Sequence, residues 1–269
     1  MLTRARRALG WSKQSAVLLG LFLLTVGLII YVWWPLAQDA LRYIDWEGPW
    51  WRTMDWLLLG IFGFMSLTIL AQADLRRDSL IVLVGLAGGL VIESWGTQTN
   101  LWFYYTAERP PLWIIPAWPI ASLSIDRITR LLNKVIPGFT EEHRGRSATR
   151  SSWKTLYWLI FGAFYLLMLQ FVAPTLDKSF TVVALILCAL IILTPTDHRM
   201  ALCVFAAGSA LGYFLELWGT TRGCWTYYTY QTPPLFAVLA HGMAAVAFWR
   251  AGLVAQRAFA RVRTRLTAR

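Results

Sequence analysis

The chain has 269 residues, 57% hydrophobic and only 14% charged, with a mean hydropathy of +0.51 and a net charge of +11. Soluble domains are nearer half apolar and a quarter charged, which excludes an ordinary soluble enzyme, a disordered chain and a secreted disulfide scaffold. Three cysteines with no C-x-x-C, and three histidines of which only His241 falls well inside an apolar run, disfavour thiol redox, haem and histidine-rich iron chemistry.

Apolar runs of roughly 20 residues, long enough to cross a hydrocarbon core of about 30 Å, predict eight membrane helices. They cover about 15–34, 53–72, 79–96, 112–133, 153–173, 179–194, 199–218 and 234–256. The first run is too long for a signal-peptide core and reads as a retained helix. Asp74-x-Arg76 and Asp197-x-Arg199 stand near the starts of the third and seventh helices, where an Asp suits the helix N-terminus and an Arg suits the headgroups. Pro110-Pro111 and Pro233-Pro234 read as starts of the fourth and eighth, since the first turn of a helix needs no proline N–H. Gly85, Gly89, Gly208 and Gly212 suit close helix contact. Between the fourth and fifth helices, Pro137, Gly138, Gly145 and the charge run Glu141–Arg146 mark a solvated basic connector. The expected fold is an all-α, polytopic membrane bundle. Its parts are a first four-helix repeat over 1–132, a basic linker over 133–152 and a second four-helix repeat over 153–269.

With both termini cytoplasmic, the inner segments hold 20 of the 25 Lys and Arg, and the outer ones hold only Arg42, Arg52, Arg109, Lys178 and Arg222. The positive-inside rule then orients the chain in a bacterial-type plasma membrane. The basic charge reads as a topology signal and an attraction to anionic lipid headgroups at the cytoplasmic face, with no role in binding nucleic acid.

The strongest signal is a duplication. A shift of 123 residues aligns the halves without a gap from Asp74 to Leu112. Glu93-Ser-Trp95-Gly96-Thr97 falls on Glu216-Leu-Trp218-Gly219-Thr220, Trp102-Phe-Tyr104-Tyr105-Thr106 on Trp225-Thr-Tyr227-Tyr228-Thr229, and Pro110-Pro111 on Pro233-Pro234. Four spans per repeat return the chain to its starting side, so the copies share one orientation about an axis along the membrane normal.

Glu93 lies about 28 Å along a helix from Asp74, near the outer end of its span, and Glu216 matches it. A carboxylate within a span faces the bundle interior, a cavity or a partner. Two readings are open: a proton donor, base or cation site, or a structural glutamate that bonds Thr97 or Thr220 or caps the aromatic loop. The aromatic residues divide likewise. Trp102, Tyr104, Tyr105, Trp225, Tyr227 and Tyr228 suit an interfacial belt, or a dry pocket whose π-faces meet a polyene or positive charge. The copies differ where Thr99 becomes Arg222, Leu101 becomes Cys224 and Trp118 becomes His241. Glu216, Arg222 and His241 are therefore candidates for a converging site of acid, anion partner and proton relay. No P-loop, Rossmann pattern, G-x-S-x-G elbow or metal-ligand pattern occurs, so no cofactor or metal is expected.

The run Glu93-x-Trp-Gly96-Thr-x-Thr-x-x-Trp-x-Tyr-Tyr followed by Pro110-Pro111 and Pro116 resembles the carotenoid-biosynthesis membrane protein family over about 35 residues in each repeat. That family includes hydratases of terminal isoprenoid double bonds. The stretch Asn100-Leu101-Trp102-Phe103 departs from the Gly-Pro-Phe-Gly type that precedes the tyrosines in that family. The resemblance implies an enzyme acting on an isoprenoid or other membrane lipid, with Glu216 or Glu93 as acid and the other carboxylate or His241 as base. Trp95, Trp218, Trp102 and Trp225 would line the pocket, with Thr97, Tyr105, Thr220, Arg222 and Tyr228 as further substrate contacts. The rival classes are a proton- or cation-coupled carrier and a non-catalytic subunit that docks a partner protein.

Overall fold

A computed structural model describes residues 12–71, 73–136 and 146–267. Helices occupy all eight expected places: α1 (Lys13–Val32), α4 (Trp56–Leu70), α5 (Leu75–Gln98), α6 (Ala117–Val135), α7 (Arg146–Val172), α8 (Ser179–Leu193), α9 (His198–Thr221) and α10 (Leu235–Thr267). Two shorter helices, α2 (Trp34–Arg42) and α3 (Trp50–Thr53), lie between α1 and α4. Two three-residue strands, β1 (Trp102–Tyr104) and β2 (Trp225–Tyr227), follow α5 and α9.

Five helices are long and apolar enough to cross a membrane: α1, α5, α9, α7 from Ser152, and α10 as far as Arg261. The chain is thus built as a membrane protein, but three of the eight expected spans fall short of that measure. α4 and α8 are apolar all round yet have 15 residues each, which rise about 22 Å against a core of about 30 Å. α6 carries Asp126, Arg127, Arg130 and Lys134 within 19 residues. The exposed faces are as apolar as the interior: Leu21, Leu23 and Leu24 on α1 and Val183, Ile186 and Leu187 on α8 all point outward, as expected of a surface that meets lipid tails.

The basic connector is shorter than expected, because α6 runs to Val135 and α7 begins at Arg146. Pro137, Gly138, Glu141 and Gly145 lie outside the described residues. The proline pairs also act differently from expectation in the first half. There α6 starts at Ala117, after a series of turns, with Pro116 as its cap, whereas α10 starts at Leu235 directly after Pro234. The Arg109–Pro110 and Thr232–Pro233 peptides are both cis.

Matching residues start and stop the matching helices. Asp74 and Asp197 cap α5 and α9, accepting from Arg76 N at 3.0 Å and Met200 N at 2.9 Å. At the far ends Asn100 and Gly223 adopt left-handed φ of 59° and 66°. Leu101 N and Cys224 N then reach back to the carbonyls of Gly96 and Gly219, each at 2.9 Å. This is the Schellman stop, which Asn and Gly favour because they enter the left-handed region most easily. It turns the chain out of the helix and straight into the strand.

The opposite end of the bundle holds the charges. Asp78, fully buried, receives Arg127 through two bonds of 2.9 and 2.6 Å. Arg127 Nε also donates to Ala71 O at the end of α4. Its counterpart 123 residues on, Arg250, reaches Ile191 O and Thr194 Oγ1 at the end of α8. The duplication therefore extends beyond the segment that aligns by eye. Arg127→Met would leave Asp78 buried without its partner and cost about 3–5 kcal/mol. Thermal unfolding in detergent should show this loss, with a large part recovered in the double variant Asp78→Leu/Arg127→Met; equal losses in single and double variants would contradict it.

Candidate functional site

The aromatic segments after α5 and α9 pair with each other as an antiparallel ladder. Trp102 stands opposite Tyr227, Phe103 opposite Thr226, and Tyr104 opposite Trp225. Phe103 and Thr226 are themselves equivalent under the 123-residue shift, so the ladder is centred on the relation between the halves. In a strand the side chains alternate, and directly opposed residues share a face. Trp102, Tyr104, Trp225 and Tyr227 therefore share one face of the ribbon, and Phe103 on the other is exposed.

That shared face supplies two hydrogen bonds to each of the two glutamates. Glu93, on the last turns of α5, receives Trp102 Nε1 on Oε2 at 3.1 Å, and Tyr104 OH and Trp118 Nε1 on Oε1, each at 3.0 Å. Glu216 receives Trp225 Nε1 on Oε2 at 2.9 Å and Tyr227 OH on Oε1 at 2.8 Å. His241 Nε2 lies 2.9 Å from the same Oε1. Both glutamates are almost fully buried. Each of the two outer cross-strand pairs gives one donor to each carboxyl group, so the ladder cannot slip without unbinding both.

Glycines make these positions possible. A Cβ on Gly96 would overlap the Trp102 indole, and one on Gly219 would overlap that of Trp225. Likewise Gly89 gives room to Trp118, and Gly212 to His241. Only Gly85 and Gly208 are the close backbone contacts expected, against Pro119 and Gly242. The glycine of the Glu-x-Trp-Gly-Thr motif is thus a seat for the indole that binds the glutamate three residues before it.

The expected site residues divide. Trp95, Trp102, Trp218 and Trp225 line one cavity of about 240 Å³ together with Glu93, Glu216 and His241. Trp95 and Trp218 also clasp the opposite half, Trp95 through Thr181 Oγ1 at 3.2 Å and Trp218 through Asp55 Oδ2 at 3.0 Å. Thr97, Tyr105, Thr220, Arg222 and Tyr228 are not among the lining residues. The threonine hydroxyls turn back to the main-chain carbonyls of Glu93 and Glu216, and do not touch the carboxylates. Tyr105 and Tyr228 bond the last carbonyls of the helices that open each half, at Val32 and Phe171. Arg222 pairs with Asp55 at 3.0 Å and stands half-exposed, so the expected trio of Glu216, Arg222 and His241 reduces to a pair.

Sequence reasoning missed Tyr104, Tyr227 and Trp118 as glutamate partners. The signal was present as W-x-Y in both halves, an alternation that puts Trp and the first Tyr on one face and sends the second Tyr to the other. The cavity also takes in Phe22, Phe62 and Trp33 from the first helices, and Phe164 and Phe236 from the second half. Trp33 stacks on Trp218 with centroids 5.3 Å apart, and its Nε1 is buried with no partner among the described residues.

Comparison with known protein families, curated proteins and solved structures finds no match. The site's chemistry is therefore read from its own geometry.

The two cages differ in one respect. An indole N–H only donates, so Trp118 fixes Glu93 as an acceptor at that contact. An imidazole nitrogen donates or accepts according to tautomer. The Glu216–His241 contact accommodates a proton on either partner, and the Glu93–Trp118 contact does not. Trp118 and His241 lie stacked, centroids 5.6 Å apart, so the two cages touch.

Gly96→Ala and Gly219→Ala should each lose about 1–3 kcal/mol by overpacking against the indole. Chemical denaturation in detergent measures this, with Gly162→Ala, which has open space at its Cβ, as the silent control. Losses no larger than the control's would contradict the seating role.

Proposed function

We propose that this protein is an integral membrane enzyme that adds water to a terminal double bond of an isoprenoid or similar lipid at the Glu216–His241 pair. The reading rests above all on that contact of 2.9 Å, in a cavity walled by indoles and apolar side chains. Protonated Glu216 gives its proton to one alkene carbon, and the neighbouring carbon becomes a tertiary cation. The π-faces of Trp218 and Trp225 and the carboxylate of Glu93 stabilise that charge. Water adds to the cation, its surplus proton passes to His241, and His241 returns it to Glu216. One alkene and one water give one tertiary alcohol, and the acid is regenerated.

The apolar walls favour this chemistry because they keep bulk water away from the cation. A cavity of about 240 Å³ suits the end of an isoprenoid chain better than its whole length. Under this proposal the chain crosses a bacterial-type plasma membrane eight times as two parallel four-helix repeats, with both termini cytoplasmic. α4 and α8 would then span where the bilayer thins to meet them. The similarity to the carotenoid hydratases points the same way, with repeat two as the reacting half and repeat one as its electrostatic copy.

Mass spectrometry of lipid extracts, pigments included, should show a polyene or isoprenoid differing by one water between cells with and without this protein. Glu216→Gln and His241→Phe should abolish the difference while the protein still accumulates in membranes. Glu93→Gln should lower turnover roughly 100-fold or more through loss of charge stabilisation. Full activity in Glu216→Gln, or an unchanged lipid profile, would overturn the proposal.

A further inference from the structure

A second cavity, of about 520 Å³, lies at the other end of the bundle, between α5 and α6 of the first half and α9 and α10 of the second. Trp118, which lines the first cavity, packs on Phe248, which lines the second, with centroids 5.9 Å apart. Phe248 in turn fills the space over Gly88. These rings close the second cavity toward the glutamates, so its contents and theirs are separate.

Its walls change character along their length. Toward the bundle centre they are apolar, formed by Ile81, Val84, Val204 and Phe248. Toward the helix ends they carry Arg77, Asp126, Arg130, Asn133 and Gln256, with Arg77 and Gln256 exposed. Asp126 is already shared: Arg77 reaches its Oδ1 at 3.2 Å, while Arg127 at 2.9 Å and Arg130 both reach its Oδ2. Asp78 is taken by Arg127. Three guanidiniums thus meet two carboxylates, leaving the cluster one positive charge in excess. Donor and acceptor capacity is also unused: Arg130 Nε, Thr129 Oγ1 and Asn133 Oδ1 are buried with no partner among the described residues. Thr129 is itself more than nine-tenths buried and lines this cavity.

We infer that this cavity binds an anionic phospholipid, its phosphate on Arg77 and Arg130 and one chain along Ile81, Val84 and Phe248. Excess positive charge selects an anion, and the planar arginine fork matches phosphate oxygens two at a time. The apolar inner wall selects an anion that carries a chain over free phosphate. The site is independent of the reaction proposed for the glutamates.

Native mass spectrometry of the full-length protein, released from vesicles of phosphatidylcholine containing phosphatidylglycerol, tests this. One phosphatidylglycerol should remain bound per chain through delipidation, and inorganic phosphate should not displace it. Arg130→Gln should weaken retention roughly ten-fold or more, the value of one charge-assisted bond. Because Arg130→Gln also frees one bond of Asp126, Gly252→Leu provides a second test. Gly252 lines the cavity with open space where its Cβ would stand, so leucine there narrows the cavity and leaves every charge in place. It should abolish retention. Equal retention of phosphatidylcholine, displacement by inorganic phosphate, or retention unchanged in Gly252→Leu would each overturn the inference.

Discussion

Two carboxyl groups sit almost fully buried in an apolar bundle, and each is held by three side-chain hydrogen-bond partners. An uncompensated carboxylate in such surroundings carries a penalty of several kcal/mol, and charge-assisted bonds are what offset it. Most of the repeated motif follows from that one requirement. The Schellman stop brings the chain back toward the helix it has just left. The W-x-Y alternation aims two donors at the glutamates, and a small residue on the helix opens room for the indole. The ladder locks the two halves because each of its two outer cross-strand pairs serves both acids.

The duplicated plan explains why polar groups recur where they do, and its exceptions show where chemistry is possible. The indole at position 118 and the imidazole at position 241 occupy equivalent places, each over a glycine of the facing helix. The substitution exchanges a group that only donates for one that also accepts. Nothing in the packing demands that change, since the two rings fill equivalent seats beside equivalent acids. Arg222 is the other notable departure, and it serves structure: it joins Trp218 on Asp55, tying the end of α9 to the start of α4.

Much of this was legible in the sequence because membrane helices and duplications are long-range patterns. Apolar runs located all eight principal helices, and rare Trp, Tyr and Pro residues fixed the 123-residue register. Glu93, Glu216, His241 and the four expected tryptophans line one cavity. What escaped was short-range or depended on a third dimension. Three-residue strands are too brief for periodicity to announce, so adjacent tyrosines looked interchangeable, although only Tyr104 and Tyr227 face the acids. Arg222 was drawn toward Glu216 by its nearness along the chain, yet the helix end points it the other way. The Asp78–Arg127 pair was hidden because its members are 49 residues apart and only Asp74, not Asp78, has an acidic counterpart in the second half.

Under the proposed mechanism, the histidine-bonded acid exchanges a proton and its indole-bonded twin does not. Infrared difference spectroscopy across a pH step, on the full-length protein in lipid nanodiscs, reads this directly. The account predicts a protonated-carboxyl band that disappears in Glu216→Gln, shifts in His241→Phe and persists in Glu93→Gln. A band that persists in Glu216→Gln and disappears in Glu93→Gln would contradict it.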